Sequence, residues 1–132
     1  MVIFVDTSAL YSLVATEDVT SLLAVDTWEK LAQTDNQFAT NNYVVVECIS
    51  LVQQRLGLEF VRHLQENVLP LILVEWFDEE QHTLAVQRML EANRRSLSLV
   101  DCSAFETIRS LGIETVFTFD AHFREEGFQV IP

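Results

Sequence analysis

Apolar runs of strand length recur along this chain, separated by stretches of helical periodicity, and two of the runs end directly in an aspartate. Val2–Val5 is followed at once by Asp6. The run Thr115–Phe119 delivers Asp120 in the same way. Strands alternating with helices imply βαβ crossovers, hence a parallel sheet covered by helices on both faces. In an open sheet of that kind, sites form outside the carboxyl ends of the strands. A carboxylate at the end of a core strand is costly to keep ionised unless a cation meets it.

The periodicity predicts strands at Val2–Val5, Gln37–Thr40, Leu71–Trp76, Val116–Phe119 and Phe128–Ile131. Helices are expected over Ser8–Thr16, Ser21–Ala32, Asn42–Leu56, Glu59–Val68 (stopped by Pro70) and Glu79–Arg94. A further one runs from Ser98 to its close at Gly112. Either Asn41 or Asn42 suits the N-cap of the third helix, and Gly57 suits the residue beyond its end. Along that helix Val45, Cys48, Ile49, Val52 and Leu56 form the apolar stripe, while Glu47, Ser50 and Gln54 lie on a polar face. Ser98 and Asp101 have the spacing of a capping box. The expected architecture is a three-layer α/β/α sandwich around a mostly parallel sheet, one domain over residues 1–132.

Four acids then have a topological reason to meet. Asp6 and Asp120 stand at strand ends, and share one crevice if their strands are neighbours. Glu47 lies early on a helix that follows a strand. Asp101 lies in the first turn of the helix that feeds the strand before Asp120. Like charges in one crevice need a counter-charge, and no lysine or histidine is adjacent in sequence to Asp6, Glu47, Asp101 or the strand before Asp120. Mg²⁺ or Mn²⁺ is the natural answer, because hard cations take carboxylate oxygens and keep several waters. Phosphodiester hydrolysis is the chemistry that most often uses such a cluster.

The segments "VIFVDTSAL", "TNNYVVVEC", "LSLVDCSAFE" and "VFTFDAHF" resemble the four motif regions of the PIN-domain nucleases. Their order and separations match too: 41 residues from Asp6 to Glu47, 54 to Asp101 and 19 to Asp120. The resemblance implies metal-dependent RNA cleavage with Asp6, Glu47, Asp101 and Asp120 as the acids. Thr7 and Ser8 match the small hydroxyl residue near the first acid, and Thr118, a candidate substrate contact together with Asn42, matches the threonine two positions before the last. Asn41 and Asn42 correspond to the polar residues that open the second-motif helix. Short stand-alone members are commonly toxins of toxin–antitoxin pairs, so the resemblance also implies an antitoxin partner and a homodimer.

Other residues bear on substrate. Arg94 and Arg95 precede the Ser96–Asp101 segment and are candidate phosphate contacts; His122 and Arg124 follow Asp120 and are candidates to face substrate. His63 and His82 read as structural or exposed. Phe119 and Phe123 read as core. Cys48 and Cys102 read as small buried hydrophobes, which suits a reducing compartment.

Charge argues the other way. Twenty acids against eight bases leave a net −12, and Lys30 is the single lysine. Such a surface repels nucleic acid on average. It favours a second reading, a binding module of the same fold with weak or no nuclease activity. A third reading, phosphoryl transfer through an aspartyl-phosphate at Asp6, is disfavoured because Ser8 stands where a second aspartate is wanted. No apolar stretch approaches the ~18 residues that cross a bilayer. Without a basic leader at Met1–Asp6, the chain reads as cytoplasmic.

Overall fold

The computed structural model describes residues 1–132, and its strands all run parallel. The sheet contains β1 (Val2–Val5), β2 (Gln37–Asn41), β3 (Ile72–Glu75), β4 (Thr115–Phe117) and β5 (Gln129–Ile131), in the spatial order β3-β2-β1-β4-β5. Seven α-helices cover it: α1 (Thr7–Val14), α2 (Ser21–Ala32), α3 (Asn42–Arg55), α4 (Leu58–His63), α5 (Glu79–Ala92), α6 (Leu99–Ser110) and α7 (Ala121–Glu125). This is the three-layer α/β/α sandwich that the alternating pattern implies.

The central strand explains its own composition. Ile3, Phe4 and Val5 are wholly buried, since β1 has neighbours on both edges and helices on both faces. A strand so placed reads as a continuous apolar run. Phe117, Val116, Leu10, Val14, Val44, Val52, Ile108 and Phe123 complete the middle of the core.

Chain order matters most at the centre. β1, β2 and β3 step outward in one direction; the chain then crosses back and lays β4 on the other edge of β1. Between β1 and β4 the winding reverses, which is where such sheets open a crevice. The register pairs Val5 with Phe117. The two strands therefore leave the sheet side by side, into Asp6 and Thr118.

The structure corrects several boundaries. The fourth predicted helix divides into α4, a wider π turn over Leu64–Val68 and a 3₁₀ turn over Leu69–Leu71 that contains Pro70. Helix α5 stops at Ala92 because Asn93 turns left-handed, φ 51°, a conformation asparagine tolerates better than most residues. Gly57 takes φ +97° directly after α3, as its C-terminal role requires. Helix α7 fills what reads in sequence as a loop after Asp120. No helix is long and apolar enough to cross a membrane.

Candidate functional site

Asp6 is the centre of the crevice. It follows β1, its residue is 3% exposed, and its backbone N–H donates to the Phe117 carbonyl at 3.1 Å. The Thr118 hydroxyl donates to Asp6 Oδ2 at 2.9 Å and the Ser8 hydroxyl reaches the same oxygen at 3.2 Å. Thr118 Oγ1 also accepts the Asp120 N–H at 2.9 Å. Ser8 Oγ accepts the Phe119 N–H at 2.9 Å and lies 3.1 Å from Thr118 Oγ1. Two hydroxyls thus lace the ends of β1 and β4 together around one carboxylate.

Burial pushes the Asp6 carboxyl up to about 7, the charges of Asp101 and Asp120 push in the same direction, and the hydrogen bonds from Thr118 and the Thr7 backbone only partly offset them. Asp101 is raised as well, first by burial, and Asp120 adds to it. Three aspartates therefore sense one another at the β1/β4 junction. Asp101 is at once a crevice acid and a helix cap partner. Ser98 Oγ accepts its N–H at 3.0 Å, and Asp101 Oδ2 accepts the Ser98 N–H at 3.1 Å, completing the capping box. Asp120 caps α7.

A hydrogen-bonding partner for these acids is close by. His122, on α7, places Nδ1 at 2.8 Å from Asp120 Oδ1 and 3.7 Å from Asp101 Oδ2. Asp101, Asp120 and His122 bring one ligand atom each within 4.8 Å of one another. His122, expected to face substrate, is instead folded by a turn of helix back over the aspartate two residues before it.

Neither Asp6 nor Glu47 belongs to that tight group. The fully buried residues of α3 are Val44, Cys48 and Val52; the expected stripe holds, with Val45, Ile49 and Leu56 partly buried against the core and Val44 added to it. Glu47 lies at the side of the helix, in a recess with Asn42, Tyr43, Val46 and Val100. The neighbouring Cys48 thiol is pushed up to about 12, mainly by burial, and is raised further by the charges of Asp6 and Glu47. Both cysteines are free and buried.

The remaining residues take distinct positions. Thr118, expected to meet substrate, is only 1% exposed and serves as the bridge just described. Asn41 is the N-cap of α3, accepting the Val44 N–H at 2.9 Å, and its amide donates to Ser103 and Thr107 on α6 at 3.2 and 3.0 Å. Asn42 accepts the Phe77 N–H at 2.6 Å, tying α3 to the segment after β3. Arg94 is paired with Glu125 of α7 at 3.0 Å, while Arg95 is exposed. Thr7 Oγ1 is buried and has no hydrogen-bond partner. Phe123 is core, and Phe119 is partly buried.

These donors fit a hard divalent cation. Buried carboxylates that raise one another's affinity for protons are relieved by a cation, and an oxygen-rich set suits Mg²⁺ or Mn²⁺.

A profile of the PIN domain family matches residues 3–128. No curated protein sequence matches significantly. Among solved structures, the Mycobacterium tuberculosis toxin VapC20, described as Sarcin-Ricin loop cleaving, is 27% identical; the alignment covers 96% of this chain and 95% of that one, with a TM-score of 0.85. VapBC2 from Rickettsia felis, bound to a promoter DNA fragment, is 15% identical over 99% and 98% of the chains, TM-score 0.72. FitAcB from Neisseria gonorrhoeae is 18% identical over 100% and 97%, TM-score 0.69. The last two speak to the fold alone.

Proposed function

The chain belongs to the PIN domain family, and from that premise we propose that it is a metal-dependent endoribonuclease, the toxin of a toxin–antitoxin pair. What supports this reading is the crevice between β1 and β4, where the sheet reverses its winding: Asp6 ends β1, Thr118 links its carboxylate to the Asp120 backbone, and Asp101 and Asp120 lie close together. VapC20, similar along nearly the whole chain, is a toxin that cleaves a defined loop. Structured RNA is accordingly the substrate class we propose.

Asp6, Asp101 and Asp120 would hold Mg²⁺ or Mn²⁺, with Glu47 completing the set from α3 directly or through water. Bound there, the ion supplies Lewis acidity to a phosphodiester oxygen and lowers the pKa of attacking water. The protein's own groups do the rest. Thr118 and Ser8 hold Asp6 in one rotamer. Of the two hydroxyls beside Asp6, Ser8's is committed to protein partners and Thr7's is buried out of reach of solvent, so neither is exposed to orient a phosphate oxygen. Arg95, with Arg94 beside it at the rim, supplies phosphate contacts, and Asn42 lines the recess next to Glu47. An antitoxin that covers the acidic crevice, a homodimer and a cytoplasmic setting complete the proposal.

The test is Asp6→Asn, which keeps shape and hydrogen bonding but removes charge. Cleavage of a structured RNA in Mn²⁺ should fall by more than the about 10–100-fold that losing a ligand's outer partner costs. Undiminished cleavage refutes the assignment. The net charge of −12 favours the second reading, a non-cleaving module. Calorimetry that finds Mn²⁺ bound to a wild-type protein unable to cut RNA decides for it.

A further inference from the structure

We propose that His122 is a positioning residue for cation loading: it clamps one oxygen of Asp120 so that the other is committed to the ion. This rests on the metal-dependent reading above. Asp120 Oδ1 accepts two hydrogen bonds from the same residue, the His122 backbone N–H at 2.9 Å and the imidazole Nδ1–H at 2.8 Å. An ordinary N-cap needs only the first. The second, between the ring and the carboxylate, fixes the carboxylate plane and satisfies Oδ1, leaving Oδ2 as the free donor.

The same ring also stands 3.7 Å from Asp101 Oδ2, which is itself held by the Ser98 N–H. One imidazole therefore lies between two like-charged groups whose repulsion would otherwise splay them. Carboxylates that ligate metals depend on such outer partners, whose loss typically costs about 10–100-fold in affinity. The chain builds this partner with three consecutive residues, Asp120-Ala121-His122, because the first turn of α7 brings the ring back over the cap.

Mn²⁺ binding by calorimetry, with electron-spin-echo spectra of the bound ion, tests the inference. His122→Ala should weaken Mn²⁺ binding by about 10–100-fold. His122→Asn, whose amide nitrogen occupies the place of Nδ1, should recover most of the loss. Wild-type spectra should show no directly bonded imidazole nitrogen. Unchanged affinity in His122→Ala overturns the inference. So does an Asn variant as weak as the Ala variant, or a nitrogen directly coupled to Mn²⁺, which would make His122 a ligand. Should the Ala variant not fold, His122→Gln replaces it, its amide set one methylene too far out. A wild-type protein that binds no Mn²⁺ overturns the metal-dependent reading itself, and this inference with it.

Discussion

At the scale of single residues, Asp6 holds a carboxyl whose acidity is set against the cation-holding role proposed for it. In the metal-free protein it is raised to about 7 from an ordinary 3.8, chiefly by burial. Between those values the folded chain binds more protons than the unfolded one, so stability falls as pH rises. The loss begins near pH 4 and is complete above pH 7, with a ceiling of about 4 kcal/mol for a shift of this size. Asp101, raised in the same direction, adds to the slope. Denaturant unfolding of chelator-treated protein should therefore give a lower midpoint at pH 7.5 than at pH 5. Asp6→Asn should flatten most of that difference, and Mg²⁺ at pH 7.5 should restore stability in the wild type alone. A midpoint that climbs through this window contradicts the buried, ion-poor carboxylate described above.

At the scale of elements, Asn41 shows how two helices are aimed by one side chain. It ends β2, caps α3 through Oδ1, and reaches Ser103 and Thr107 of α6 through its amide. Helix α3 carries Glu47 and α6 carries Asp101, so their spacing depends on this residue. Asn41→Ala should cost about 2–4 kcal/mol, from a lost cap and two buried hydroxyls left without a donor. Asn41→Ser, which retains a capping oxygen, should cost less; equal losses would mean that the cap contributes nothing. Much of this level is legible in the sequence, because caps are local: the asparagine pair before α3 and the Ser98–Asp101 box announce their helices. The order of the strands is not. Nothing near Asp6 or Asp120 says on which edge of β1 the chain will lay β4, and the crevice exists only because it returns to the free one. Helix α7 is hidden for a different reason. It is five residues long, too short for periodicity, and its capping aspartate reads first as a site acid. Periodicity gives the stripe of α3 but not which of the adjacent Val44 and Val45 is the more deeply buried, and it says nothing of how far Glu47 stands from the other acids.

At the scale of the whole molecule, the proposed RNA substrate sets a difficulty: a chain of net charge −12 has to engage a polyanion. The positive side chains do not redress it, because most are already neutralised. Lys30, Arg62, Arg88, Arg94 and Arg109 are in ion pairs with Asp26, Glu66, Glu106, Glu125 and Glu126. Arg55 lies over the Tyr11 ring. That leaves Arg95 and Arg124, both exposed, as the free cations, and both are near in sequence to a crevice acid. Each phosphate contact contributes about −0.7 to the logarithmic salt slope for single-stranded substrates. Two contacts therefore predict a loss of less than about tenfold in RNA affinity between 50 and 200 mM monovalent salt, where six to ten contacts would cost about 10³–10⁵-fold. RNA binding measured across that range at constant divalent ion decides the matter. A shallow slope means that recognition rests on the crevice and the shape of the loop it receives. A steep one requires a basic surface that this chain does not possess, and so a second protein that brings it.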